Sequence, residues 1–279
     1  MGRIRILTDS ACDIPEDVVR RLEIDVVSLT IRFGDEEFVD RVDLTPTAFW
    51  AKCKASKTLP ETSAPSPGAF QSAYEKAKAD GCDGVLVLTI SAGLSATHQS
   101  ATLAADAVAP GIAVRVIDTR AVSMGQGLLC IELAESAATG ASLEELSDRA
   151  VALIPKVGVV AMLDTLEHLV KGGRIGGARA LLGQVLSIKP LLELKDGIVA
   201  EAGRQRTKAR ALAVIADVAK SHQPLRRLAL VHGDSPEVQH LEALITGIST
   251  EFPLIVTDMG PVVGTHGGPG IIALCWIEG

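Results

Sequence analysis

Three apolar runs in the first half of the chain end in short polar side chains. Asp9-Ser10 follows Ile4–Thr8, Ser91 to Thr97 follows Val85–Ile90, and Asp118-Thr119 follows Val114–Ile117. Ligands of doubly wound sheets dock beyond the carboxyl ends of the strands, so these groups mark an edge where a small molecule can bind. Helix capping and loop solvation are the alternative roles for each. Gly93-Leu94-Ser95-Ala96-Thr97 resembles the strand–turn–helix elbow of serine hydrolases, but Thr97 stands where the last glycine belongs. Several residues also separate Ser95 from the strand, so the tight turn is not specified. Two readings of Ser95 follow. It is a nucleophile served by His266 and an acid such as Asp118, or it is a helix N-cap whose hydroxyl faces a carboxylate or phosphate oxygen.

The glycine clusters carry no nucleotide signature. Neither Gly172–Gly177 nor Gly264–Gly270 spells a phosphate-binding loop or a dinucleotide fingerprint. Glycines there let backbones pass closely or let a loop approach a ligand. Of the six histidines only His98 and His266 have motif-like surroundings, and no pair has metal-ligand spacing. No cofactor and no metal are expected. The five cysteines are scattered and never form a C-x-x-C pair, which suits reduced thiols in a cytoplasmic protein.

The elements that must position these groups alternate strand and helix up to about residue 156. Ile4–Thr8, a β-rich run from Ile24 to Phe33, Val85–Ile90 and Val114–Ile117 read as strands. Thr45-Pro46 and Ser66-Pro67 each open a helix with an N-cap and a proline at the first helical position. Helices are also expected from about Ser95 to Val108 and, apolar nearly all round, from Val122 to Ala138. Ser142 and Glu145 form a capping box for a helix with Leu143, Leu146, Ala150, Val151 and Ile154 on one face. This alternation predicts an α/β fold with a doubly wound, mostly parallel sheet over residues 1–156.

Residues 157–279 predict an α+β domain with a mixed or antiparallel sheet. Val157–Leu163 is a strand, followed by two short helices on either side of Gly172–Gly177. Lys195-Asp196-Gly197 joins a hairpin of Leu191–Leu194 and Ile198–Ala202. A helix from Thr207 to Ser221, a strand at Leu228–Val231, a helix from Pro236 to Thr246, and strands at Leu254–Thr257 and Ile271–Ile277 complete it. The stretch Gly264–Gly270 reads as a loop.

Composition narrows the partners. The 279 residues are 47% apolar, enough for a sizeable core, and only 3% aromatic. With 27 basic and 34 acidic side chains the net charge is −7, and no basic block stands out. Nucleic acid and anionic membrane surfaces are therefore not the expected partners. The longest uncharged stretch, Gly84 to Ala105, contains Ser, Thr, His and Gln and is no membrane span. The first residues, MGRIRILTDS, begin a strand at once and are read as leaving no room for a signal peptide.

Taken in order, six motifs resemble the DegV family. They are Asp9-Ser10, Thr62-Ser63-Ala64-Pro65-Ser66, Leu94-Ser95-Ala96-Thr97, Gly172-Gly173-Arg174 with Ile188-Lys189-Pro190, Arg204 to Thr207, and Thr265 to Gly270. The resemblance spans essentially the whole chain. It implies two α/β domains with an acyl chain buried between them, and a fatty-acid carrier without turnover of its own. Such a carrier presents the carboxyl group to a separate fatty acid kinase that forms the acyl phosphate. It implies head-group residues at Thr62 or Ser63 and Ser95 in the first domain and at His266 in the second. It also implies that Arg174 and Arg206 serve the surface that meets the kinase. Since the chain lacks phosphate machinery of its own, both are expected on exposed edges near the tunnel mouth. Ala64, Ala96 and Gly267 stand where the family often has Gln, Gly and Thr.

The chemistry agrees with that implication. A carboxylate takes hydroxyl donors and an imidazole N–H. An aliphatic tunnel gains about 0.8 kcal/mol for each CH₂ it buries. Without a phosphate-binding loop in the chain, ATP belongs to the partner. In this reading His266 reaches from its glycine loop toward Ser95 and Thr62, with Pro269 stiffening the loop. A serine hydrolase built on Ser95 and His266 and a regulatory module for a small acid are the alternatives. Bound long-chain lipid favours the carrier, and covalent labelling of Ser95 by a fluorophosphonate favours the hydrolase.

Overall fold

The computed structural model describes residues 2–181 and 188–279. The first part of the chain runs β1 (Ile4–Asp9), α1 (Glu16–Arg21), β2 (Asp25–Val27), β3 (Thr30–Phe33), β4 (Glu36–Val39) and α2 (Pro46–Ala55). It continues with β5 (Glu61–Ser63), α3 (Pro67–Ala79), β6 (Gly84–Thr89), α4 (Thr97–Val108) and β7 (Ala113–Asp118). Then come α5 (Met124–Ala138), α6 (Leu143–Leu153), β8 (Val157–Met162), α7 (Glu167–Lys171), β9 (Lys189–Lys195) and β10 (Ile198–Gln205). The last elements are α8 (Lys208–Ser221), β11 (Leu225–His232), α9 (Val238–Ile245), β12 (Ile255–Asp258), α10 (Pro261–Gly267) and β13 (Ile272–Glu278).

Local chemistry explains many of these boundaries. The hydroxyls of Thr45, Ser66 and Thr207 each accept the backbone N–H three residues on, and Ser142 and Glu145 complete the capping box. Asp196 and Gly197 have φ of 52° and 79°, the left-handed pair that a two-residue hairpin between β9 and β10 requires. Every residue of β6 is buried because both faces of its sheet are covered. Val85 and Val87 pack toward α3 and α4, while Leu86 and Leu88 enter the core that holds α5.

Three sheets result. The parallel sheet has the order β2-β1-β6-β7, as expected of a doubly wound half. The six-stranded sheet has the order β10-β9-β8-β13-β11-β12 and is antiparallel except where β12 joins β11. A small antiparallel sheet, β4-β3-β5, lies outside the sequence expectation. The expected division at 156/157 falls at the turn Ile154–Lys156, just before β8. One apolar core nevertheless runs across it, from Ile6 and Leu86 through Leu128 and Leu129 to Val231 and Cys275.

Helix α5 holds that core together. Met124 to Ala134 are all buried, because the helix lies against β1 and β6 on one side and β8, β11 and β13 on the other. Its glycines permit the fit. A Cβ at Gly125 would lie 2.6 Å from Val159 Cγ2, and one at Gly127 would lie 2.5 Å from the Cys12 carbonyl. Glu132 on α5 is 2% exposed. It accepts from Arg226 Nη2 and Arg227 Nε of β11, each at 2.8 Å, and from Arg149 of α6.

Several expectations are corrected. Gly264–Gly270 is not a simple loop, because α10 occupies Pro261–Gly267. Gly264 sits inside this helix since a Cβ there would lie 2.8 Å from the rings of both Phe49 and Trp50. Val151 is 62% exposed, so it lies off the buried face of α6. Ala96 rather than Ser95 occupies the N-cap position of α4. After Gly172–Gly177 the expected second helix appears only as a 3₁₀ turn at Gly176–Leu181, and the rest of it lies outside the described residues.

Candidate functional site

A cavity of about 1010 Å³, including its open mouth, lies between the two halves. Leu29, Ile90, Leu94 and Val122 line it from the first half, and Leu163, Leu192, Val199 and Val262 from the second. Polar side chains gather in a short chain of contacts within this aliphatic lining. Thr62 Oγ1 and His266 Nε2 lie 2.9 Å apart. Arg174, whose charge acts on His266, donates from Nε to the Leu94 carbonyl at 3.1 Å, next to Ser95.

Each of these side chains is placed by its element. Thr62 and Ser63 are consecutive on β5, so the strand turns them to opposite faces. Thr62 pairs with the buried Ile31 of β3 and lines the cavity. Ser63 is exposed and lines no part of the cavity, which leaves Thr62 as the hydroxyl from this segment. His266 comes from the last turn of α10. Its approach does not rely on flanking glycine loops, since Gly264 serves the packing on Phe49 and Trp50 and a Cβ at Gly267 would lie 2.5 Å from Ile271 Cδ1.

The imidazole of His266 is held neutral. Burial, the Arg174 charge and then His168 lower its pKa from 6.5 to about 4. Its Nδ1 is buried without a hydrogen-bond partner among the described residues, and Gly172 lies against it so closely that any Cβ there would overlap the ring.

Ser95 lines the cavity, but its Oγ lies 2.8 Å from Thr97 Oγ1 and accepts the Thr97 N–H at 3.3 Å. No hydrogen bond joins it to His266 among the described residues. Asp118 Oδ1 accepts instead from Ala92 N at 3.1 Å and Arg120 N at 2.9 Å. The serine, histidine and acid that a hydrolase needs are therefore not assembled. His98 Nδ1 lies 3.3 Å from Thr89 Oγ1, a contact between β6 and α4 away from the cavity lining.

The two arginines part company. Arg174 is half-buried and lines the cavity, with Nη1 donating to the Gly172 carbonyl at 2.6 Å. It is not on an exposed edge, because two backbone carbonyls draw its guanidinium inward. Arg206 is exposed between β10 and α8.

Comparison with known proteins matches this arrangement to a family. The DegV family model, whose description is of uncharacterised proteins, matches residues 3–279. The chain belongs to the DegV family. A DegV domain-containing protein of Listeria innocua is 32% identical over 282 residues, covering 98% of both chains. One from Streptomyces coelicolor is 31% identical and covers 97% of both.

Solved DegV structures share the whole fold. A DegV family protein from Thermus thermophilus, described by its fatty-acid binding, superposes with a TM-score of 0.91 at 35% identity over 99% of both chains. DegV of Bacillus subtilis, described as a fatty acid binding protein, gives 0.89 at 27% identity over 100% of both. A stearic-acid-binding protein of Eubacterium ventriosum gives 0.88 at 25% identity, covering 100% of this chain and 98% of the other. Among the described residues no helix is long and apolar enough to cross a membrane.

Proposed function

We propose that this DegV protein is a cytoplasmic carrier that binds a long-chain fatty acid and presents its carboxyl group to a separate fatty acid kinase. The observation that carries the reading is the Thr62–His266 pair set in a cavity lined mostly by aliphatic side chains. The named ligands of the related structures support it. The acyl chain fills the space between Leu29, Ile90 and Val122 on one side and Leu163, Leu192 and Val262 on the other. Each buried CH₂ contributes about 0.8 kcal/mol.

The head group lies where residues 1–156 supply hydroxyls and residues 157–279 supply the imidazole and a cation. With its proton on Nε2, His266 donates to Thr62 Oγ1, which leaves the Thr62 O–H free to donate to the carboxylate. Ser95 supplies a second hydroxyl, and Arg174 a positive potential. The protein has no turnover of its own. A kinase bringing ATP converts the presented carboxylate to an acyl phosphate, and the exposed Arg206 contributes to the surface that meets it.

Native mass spectrometry of the purified protein, before and after incubation with oleate, tests the binding. One bound fatty acid per chain is expected, and absence of lipid under both conditions overturns the reading. For the kinase step, Arg206→Glu is expected to slow acyl-phosphate formation by a fatty acid kinase and leave fatty-acid affinity unchanged. Equal rates for the variant and the parent remove Arg206 from that surface.

A further inference from the structure

The last turn of the helix that carries His266 is closed by the Gly268 N–H, which donates to the Gly264 carbonyl at 2.9 Å, but its Thr265 carbonyl has no donor within the helix. In α10 the Thr265 carbonyl would take its hydrogen bond from the residue four positions on, which is Pro269 and has no N–H. The next N–H, of Gly270, is used by the Gly233 carbonyl at 2.8 Å. The missing donor comes from another element. His168 on α7 is 7% exposed, and its Nδ1 lies 3.0 Å from the Thr265 carbonyl. A carbonyl can only accept, so this nitrogen carries the proton. Gly268 lies flat against the same ring, since a Cβ there would be 2.8 Å from His168 Cδ2.

Helix α7 meets His266 a second time. Gly172, four residues after His168, presses its backbone against His266 Nδ1. One short segment thus fixes both the backbone that bears the imidazole and the face of the ring that turns away from Thr62. At the other end of α10 the Gly260 N–H donates to Asp13 Oδ1 at 2.9 Å, and Asp13 Oδ2 accepts from Ser123 Oγ at 2.5 Å. The N-terminal end is therefore anchored independently, and at the C-terminal turn α7 supplies the donor for the Thr265 carbonyl.

We infer that His168 is a positioning residue for the head-group site, supplying the hydrogen bond that Pro269 cannot make and so aiming His266 Nε2 at Thr62 Oγ1. The affinity arm of its test rests on the fatty-acid reading above, whereas the spectroscopic arm does not.

Two substitutions separate the donor from the ring. His168→Phe keeps an aromatic ring without an N–H, and His168→Asn keeps a donor near the Nδ1 position. Both remove any charge at 168, so a difference between them reports the hydrogen bond. In ligand-free protein, NMR titration of His266 is expected to move from its depressed value toward that of a free imidazole in His168→Phe and to stay depressed in His168→Asn. Oleate affinity is expected to fall about tenfold in His168→Phe and to return in His168→Asn. Should His168→Phe fail to fold, His168→Ala with added imidazole repeats the test, and imidazole is expected to restore both readings. The inference is overturned if Phe and Asn behave alike, or if imidazole restores nothing. If the titrations come out as expected and no variant or parent binds oleate, the fatty-acid reading fails and the positioning role stands.

Discussion

Thr62 Oγ1 and His266 Nε2 stand 2.9 Å apart although 204 residues separate them in the chain. One comes from a three-residue edge strand and the other from the end of a seven-residue helix. Neither element is stable alone; each is held by what it packs on. The pair exists only when both halves of the protein are in place. Thr62→Val keeps the shape of the side chain and removes its hydroxyl. Loss of a hydrogen bond to a charged group costs about 1.5–3 kcal/mol, so oleate affinity should fall about ten- to a hundredfold. Isothermal titration calorimetry checks this, and an unchanged Kd removes Thr62 from the head-group site.

Gly172 tests the same site from behind. Any Cβ there overlaps His266 Nδ1, so Gly172→Ala must push the imidazole toward Thr62 or out of line. Overpacking of this kind costs about 1–3 kcal/mol of stability. The denaturant midpoint should drop, and oleate binding should weaken with it. A variant as stable as the parent means that the backbone of α7 yields more easily than its packing suggests.

Glu132 links α5 to β11 and α6. Burial opposes its ionisation, but Arg226, Arg227 and Arg149 overcome this and hold its pKa at about 2. Breaking such a buried cluster by removing one partner costs about 3–5 kcal/mol. Glu132→Gln should therefore melt well below the parent at neutral pH. In the parent this contribution is complete above the usual glutamate pKa of 4.5 and is lost as pH falls through about 2. The gap in stability between parent and variant, read from chemical denaturation, should narrow over that window. A constant gap from neutral pH down to about 2 would falsify the ion-cluster account.

His266 gives a second pH signature at higher pH. The unfolded chain takes up this proton near 6.5, and the folded protein only near 4, because burial and then Arg174 and His168 disfavour the charged ring. Stability from this residue is therefore present above about 6.5 and declines as pH falls toward about 4. Asp9 and Asp13, raised by burial to about 6 and about 7, act in the opposite direction, so the comparison must be with a His266→Gln protein. The difference between the two proteins should change between those pH values and be flat below about 4. A flat difference throughout would mean that His266 titrates normally.

Much of this arrangement is written in local sequence. The continuous apolar run of β6, the hydroxyl caps at Thr45, Ser66, Ser142 and Thr207, and the Asp196-Gly197 turn are each fixed by neighbours within a few residues. Strand β4 escapes that reading because Glu36 and Glu37 are exposed on it, and its apolar alternation is too short to register. Helix α10 escapes it because a proline and two glycines in seven residues spell a loop. Contact with Phe49 and Trp50 overrides that local preference. In the site, Thr62 and His266 stand out by motif, but the choice between Thr62 and Ser63 depends on which face of β5 turns inward. The inward turn of Arg174 depends on the carbonyls of Leu94 and Gly172, one of them far away in sequence. His168 carries no motif at all. Its signal is the proline four residues after Thr265, legible only once a helix is known to end there.

Helix α5 bears on how the protein comes apart. Its buried stretch from Met124 to Ala134 faces both large sheets, with Gly125 against Val159 and Gly127 against the Cys12 carbonyl. Neither half can shed the other without uncovering that helix, its eleven buried residues and the Glu132 cluster in one step. Heat and denaturant should therefore meet a single cooperative unit, with both sheets melting at one midpoint despite the two-part architecture. The walls of the cavity are thus as durable as the fold itself, and traffic through it has to use its mouth.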